Sequence, residues 1–172
     1  MQITVANYND HIAIAALHAE NWRQTYRGIL SDQYLEHKVE NDRLQTWKKR
    51  LADPSGNQYL SVVKSNDQLI GFCCLFIDDD PVFGSLIDNL HVSFNQRKSG
   101  IGKLLVKDAA EKVLLKASIK KMYLWVYESN TNARKAYEKM GGSVFEISVK
   151  TNPDRGTAST CRIVWDNFES LI

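Results

Sequence analysis

The chain has 172 residues, of which 44% are hydrophobic and 24% charged, the balance of a soluble globular protein with enough length for one core. Its formal net charge of +2 is too small to suggest nucleic acid or an anionic membrane surface as partner, so any anion must be held locally. No apolar run approaches a membrane span, and the opening "MQITVANYND" lacks the layout of a secretory signal.

In chain order, "QITVA" alternates and predicts a first strand. A helix is expected over 10–26, with Ile12, Ala15, Ala19, Trp22 and Tyr26 on one face. Gly28 breaks that pattern, and Ser31 or Asp32 can cap a short second helix. "NDRLQTWKKRLA" predicts a third helix, ended by the turn cluster "DPSGN". "YLSVVK" and "QLIGFCCLFI" read as a hairpin joined by "SND"; "IDDDPVFG" is expected to be the next turn and "SLIDNLHV" the fourth strand. Within this stretch, Cys73 and Cys74 sit in an apolar run, and Cys161 makes the count odd. Without CxxC or Cys/His spacing the three predict neither a metal site nor a disulfide framework, but a reduced, cytoplasmic protein.

The helix expected over 101–117 carries Leu105, Val106, Ala109, Ala110, Val113 and Ala117 as an apolar stripe. "KMYLWVY" is a fifth strand, with Met122, Leu124 and Val126 alternating against Tyr123, Trp125 and Tyr127. A last helix begins near Asn130 and stops at Gly141; "SVFEISV" and "TCRIVWD" complete the sheet around the turn-rich "TNPDRG". The strand–helix–strand unit over 86–127 requires a crossover, so its strands should be parallel, while the flanking hairpins should be antiparallel. These elements predict one domain over 1–172, an α/β fold with a mixed, mostly antiparallel sheet of about seven strands and helices on both faces.

The segment "QRKSGIGKLLV" lies where a strand becomes a helix. Helix N-termini leave N–H groups unpartnered at the positive end of the helix dipole, and Gly100 and Gly102 remove the Cβ atoms that would keep an anion away. Arg97, Lys98 and Lys103 add charge beside the same turn, so the loop can hold a pyrophosphate. A solvated basic glycine turn is the plainer alternative. Neither GxxxxGK[ST] nor GxGxxG is present, which leaves R-x-x-G-x-G.

That loop, following "LIDNLHV", resembles the acyl-CoA-binding segment of the GNAT superfamily of N-acyltransferases, commonly [QR]-x-x-G-x-[GA]. Downstream, "VYESNTNARKAYEKMGG" resembles the family's second cofactor-facing segment, N-x-x-A-x-x-x-Y-x-x-x-G-F. Asn130, Ala133, Tyr137 and Gly141 occupy four of its places, and Gly142 stands where phenylalanine is usual. The resemblance implies that the parallel fourth and fifth strands splay apart and receive the pantetheine arm of acetyl-CoA, the co-substrate. It implies backbone contacts to that arm from Leu90, His91 and Val92, and a pyrophosphate seat formed by Arg97, Lys98, Ser99, Gly100, Ile101, Gly102 and Lys103. By the same resemblance Asn130 and Ala133 bind the cofactor, Tyr137 protonates the leaving thiolate, and the Val92 N–H stabilises the oxyanion.

Asn130 also fits an N-cap, and Tyr137 also falls where a core aromatic would. The base is less determined. Trp125 and Leu86 stand at positions where relatives carry glutamates, leaving Asp88, expected on the face of Leu90 and Val92, or Glu20, or water. His91 is expected to point the other way unless a bulge intervenes. The acceptor is expected to be a small-molecule or peptide amine, walled by Trp22, Tyr26 and Tyr34, with 78–80 an acidic turn; a homodimer is common in the family. The competing reading is a non-catalytic acyl-CoA sensor, and a third is a loop that binds ATP.

Overall fold

A computed structural model describes residues 2–172. The chain runs β1 (Gln2–Val5), α1 (His11–Thr25), α2 (Asp32–His37), α3 (Val39–Ala52), β2 (Gln58–Ser65), β3 (Gln68–Asp80), β4 (Gly84–Val92), α4 (Ile101–Lys116), β5 (Met122–Tyr127), α5 (Thr131–Lys139), β6 (Ser143–Thr151) and β7 (Thr157–Trp165). The strands form one sheet in the order β1-β2-β3-β4-β5-β7-β6, in which only β4 and β5 pair in parallel. This is the α/β architecture predicted from the element order. Short turns join β2–β3, β3–β4 and β6–β7 as antiparallel hairpins, while α4 carries the crossover from β4 to β5 and α5 the one from β5 past β7 to β6.

One face of the sheet packs under α4 and α5. There Leu105, Val106 and Val113 meet Leu75, Ile87, Met122, Leu124 and Ile163, all buried. The other face packs under α1 and α3 on its β2–β3 half, where Trp47, Ile14, Phe72 and Val62 are sealed from water. Complete burial of each such side chain contributes about 1.5–3 kcal/mol. The β5–β7–β6 half of that second face has no comparable helix layer, and this leaves room for a site.

The structure differs from the sequence reading in two elements. Ile12 is 63% exposed, and the buried stripe of α1 is Ile14, Ala15, His18 and Ala19, with Asn21 beside it. Polar residues therefore occupy positions where apolar ones were expected. The acidic run is not a turn but the end of β3, which extends to Asp80. Asp78, at φ 50°, accepts the N–H groups of Ser118 (2.7 Å) and Ile119 (3.1 Å), and Asp80 accepts those of Val82 and Phe83 (2.7 and 2.9 Å). Asp79 accepts the Tyr123 hydroxyl (2.7 Å). All three carboxylates are consumed by the local backbone and one phenol.

Candidate active site

The turn before α4 is built for close approach by an anion. Gly100, at φ 89°, is the N-cap of α4, and Lys98 just before it is also left-handed at φ 65°. The first helical bond is from Leu104 N–H to the Gly100 carbonyl (2.9 Å), so the N–H groups of Ile101, Gly102 and Lys103 precede the ladder. A Cβ at Gly100 would meet no atom within 4 Å, and one at Gly102 only Val92 Cγ2 at 4.0 Å. These glycines are not demanded by packing inside the protein; the space they leave opens outward. Arg97 stacks on Phe94 (4.9 Å) and donates to Thr25 Oγ1 (3.2 Å), so its guanidinium lies alongside the loop.

Beside the loop, the sheet parts. β4 and β5 share three register pairs, ending at Ile87 and Leu124, yet β4 continues to Val92 and β5 to Tyr127. The opposite edge of β4 stays laddered to β3, with Ser93 N–H donating to Ile70 carbonyl (2.8 Å). In an antiparallel ladder the bonded pairs alternate, so His91 bonds Phe72, whereas the backbone groups of Leu90 and Val92 point toward the gap. The expectation for Leu90 and Val92 is thus compatible with the geometry. His91 is corrected: its backbone belongs to the ladder, and only its side chain is available.

A bulge sets the side chains. Cys74 pairs with Asn89 and Leu75 with Ile87, leaving Asp88 as an extra residue on β4. Ile87, Leu90 and Val92 consequently pack toward α4, while Asp88 is turned to α3, where Arg50 Nη1 donates to it at 2.6 Å. Asp88 therefore does not share a face with Leu90 and Val92, as a regular strand would require; it shares one with His91. Glu20 is exposed and faces Gln24 and Arg23, outside the cleft lining.

Splay, loop and neighbouring elements enclose a cleft of about 1020 Å³. On the α5 side it is lined by Asn130, Ala133 and Tyr137. Asn130 does cap α5, its Oδ1 accepting the Ala133 N–H (3.3 Å), and Tyr137 packs its ring edge-on to Trp165 at 6.0 Å. Burial pushes the Tyr137 hydroxyl well above the usual phenol range, so at neutral pH it holds its proton. Of the pyrophosphate-loop candidates, Arg97, Lys98, Gly100, Gly102 and Lys103 line the cleft. Ser99 turns its hydroxyl to the Gln96 carbonyl (2.5 Å), and Ile101 is core, so only their backbones face the loop.

On the α1 side the lining includes His18, Asn21, Trp22 and Tyr26, none of the first two anticipated. His18 is fully buried and accepts the Trp47 indole N–H at Nδ1 (3.0 Å), which places its proton on Nε2, an atom without a partner. Its ring lies 4.3 Å from that of His91. Burial, and then the neighbouring His91, hold His18 well below the ordinary imidazole value; burial, then Arg97 and Arg43, push His91 down to about 3. Both are neutral at physiological pH. Asn21 Nδ2 donates to the Val92 carbonyl (3.1 Å), leaving its buried Oδ1 free. The spacing 14, 18, 21 is one helical face, a signal available in the sequence had polar residues been admitted to it. The β6–β7 turn closes the far end through Asp154, which accepts the Ser31 N–H at 2.7 Å. Tyr34 is buried against α3 and does not line the cleft.

The cysteines stay out of this chemistry. Burial raises Cys73 well above the ordinary thiol value and pushes Cys74 up to about 12, so neither supplies a thiolate. Among the described residues no cluster of His, Cys, Asp or Glu could hold a metal ion, and no helix is long and apolar enough to cross a membrane.

Comparison with known proteins agrees with this geometry. Residues 14–142 match the model of the acetyltransferase (GNAT) family. The chain is 32% identical over 142 residues to the probable N-acetyltransferase Rv2775 of Mycobacterium tuberculosis, covering 81% of this chain and 78% of that one. Its fold resembles the PaiA N-acetyltransferase of Thermoplasma acidophilum, solved in complex with coenzyme A (TM-score 0.72, 19% identity, 95% and 98% of the two chains). It also resembles a GCN5-related N-acetyltransferase from Rhodopseudomonas palustris (TM-score 0.75, 15% identity, 95% and 93%).

Proposed function

We propose the division of labour in this site from a plain premise: the chain belongs to the acetyltransferase (GNAT) family and is an acetyl-CoA-dependent N-acetyltransferase. Acetyl-CoA supplies an activated acetyl thioester, from which the acetyl carbon passes to an amine nitrogen as the carbon–sulfur bond breaks. The observation that carries the assignment is the coincidence of a glycine-opened helix N-terminus with the parting of β4 and β5.

The N–H groups at the start of α4, with Arg97, Lys98 and Lys103, hold the pyrophosphate. Backbone groups of Leu90 and Val92, unladdered at the gap, hold the pantetheine arm, and the Val92 N–H donates to the acetyl oxygen as it gains charge. Asn130 and Ala133 line the same arm. Tyr137, protonated and beside the arm, gives its proton to the departing sulfur and regains one from water. The amine loses its proton on the α1 face, where Asp88 lies. Asp88, held by its ion pair with Arg50, orients water that carries the proton away. Asn21 Oδ1 is free to accept a hydrogen bond from the amine.

Several features support the wider reading. One sheet carries both halves of the site, which favours a single catalytic domain over 1–172. Buried, unpaired cysteines favour a reducing cytoplasmic compartment. The exposed Phe145, Ile147 and Val149 of the edge strand β6 favour a homodimer.

The test is release of free thiol from acetyl-CoA across a panel of amines. Tyr137→Phe is expected to lower turnover about a hundredfold or more while leaving cofactor affinity within a few fold. Unchanged turnover would return Tyr137 to a packing role.

A further inference from the structure

Charge on the cleft wall is one-sided. Asp88 is the one carboxylate among the lining residues, and Arg50 neutralises it. The three aspartates of β3 are consumed as described, so they do not await a cation. Of the lining cations, Arg97, Lys98 and Lys103 belong to the phosphate loop, and Lys135 and Lys139 to α5 on the donor side. Lys150 is left over. It projects from β6 on the acceptor face, its Nζ 3.1 Å from the centroid of the Trp125 indole. No carboxylate among the described residues forms a salt bridge with it. Glu146 on the same strand is paired instead with Arg162, 2.9 Å from its Nε. Burial, then the adjacent Arg162, lower the Lys150 ammonium from its ordinary value, against a smaller opposing pull from Glu146.

Two residues on, Asn152 is 6% exposed. It lines the same cleft; its Oδ1 accepts the Tyr127 hydroxyl (3.0 Å), and its Nδ2 is buried without a partner. A buried amide donor left unpaired is costly unless something meets it when the site is filled. An ammonium resting on a ring and an orphan amide N–H, on a wall with no free carboxylate, together make donors for an acid group.

We infer that Lys150 and Asn152 form a subsite for a carboxylate on the acceptor, so that the preferred acceptor is an amine that also carries an acid, not a polyamine. This rests on the N-acetyltransferase reading above. Lys150 Nζ leaves the indole and donates to one carboxylate oxygen while Asn152 Nδ2 donates to the other. No covalent bond changes at this end of the acceptor.

The experiment is thiol release from acetyl-CoA with matched amines that differ only in the acid: 5-aminopentanoate against butylamine, lysine against cadaverine, phenylalanine against phenethylamine. The acids should win in kcat/KM by roughly ten- to a hundredfold, the worth of a charge-assisted hydrogen bond. In Lys150→Met, which keeps the apolar stem, that ratio should fall toward one; in Lys150→Glu it should invert in favour of cadaverine. Protection of each variant against heat by acetyl-CoA reports that the fold and donor site are intact. Equal use of both members of each pair, or a ratio untouched by Lys150→Met, overturns the subsite and leaves the acetyltransferase reading standing. Failure of every amine to release thiol, despite thermal protection by acetyl-CoA, overturns that reading and the subsite with it.

Discussion

Gly102 is a residue whose value lies in what it leaves out. A Cβ added there would meet only one methyl of Val92, at 4.0 Å, so packing leaves room for the start of a side chain. A side chain at this place instead covers the free N–H groups of α4. Gly102→Glu is therefore expected to fold with a melting temperature close to the parent, yet to lose its stabilisation by coenzyme A in a thermal-shift titration. Normal protection by coenzyme A would displace the phosphate seat from this loop. Tyr137 and Lys150 show the same logic at two other positions: the first is an ordinary core ring that also keeps a proton beside the gap, the second an ordinary surface lysine held where an acid would otherwise be missing.

At the scale of elements, the contact between α1 and β4 carries a pH dependence. His18 and His91 pack there with rings tilted by 37°, near Arg43 and Arg50 of α3, the latter paired to Asp88 of β4, and near Arg97 of the loop. In the unfolded chain an imidazole titrates near ~6.5. In the folded chain His91 titrates at about 3 and His18 well below its ordinary value, so the unfolded state binds more protons between these limits. Stability is then complete above the ordinary imidazole value and is lost as pH falls toward 3. The melting temperature should drop through this window, and His91→Gln should flatten the slope by up to one proton; parallel slopes for the two proteins would show that His91 does not titrate across unfolding. This contact was also the least legible part of the sequence. The glycine loop, α4 and the Asn130-to-Tyr137 helix could be read because local chemistry dictates them: caps, stripes and turn residues act within a few positions. The bulge at Asp88 could not, because it is a mismatch in register with β3 and has no signature in β4 alone. The inward turn of His18 and Asn21 was hidden for a similar reason. Their partners, Trp47 and the Val92 carbonyl, lie far along the chain, and an apolar count misassigns such positions to the surface. The pairing of Arg50 with Asp88 likewise joins two distant elements.

For the whole molecule, the open sheet ends in β1 and β6, and β6 is the edge strand richer in exposed apolar side chains. β6 exposes Phe145, Ile147 and Val149 at 62%, 55% and 67%, an apolar edge of the kind that proteins cover by assembly. Light scattering after gel filtration should give roughly twice the 19.6 kDa chain mass, and Ile147→Lys should return a monomer with its cofactor protection intact. A monomeric parent would assign β6 to solvent. The parting of β4 and β5 has a consequence of another kind. A sheet ordinarily walls one helix layer from the other, but here the wall has a window. On the proposed placement the donor comes and goes on the α4–α5 side and the acceptor on the α1 side, and they meet in the window without crossing routes. Neither must vacate the protein to admit the other. Residues of the acceptor side, Lys150 and the 151–156 turn among them, can therefore vary from one enzyme to another without disturbing the traffic of the donor.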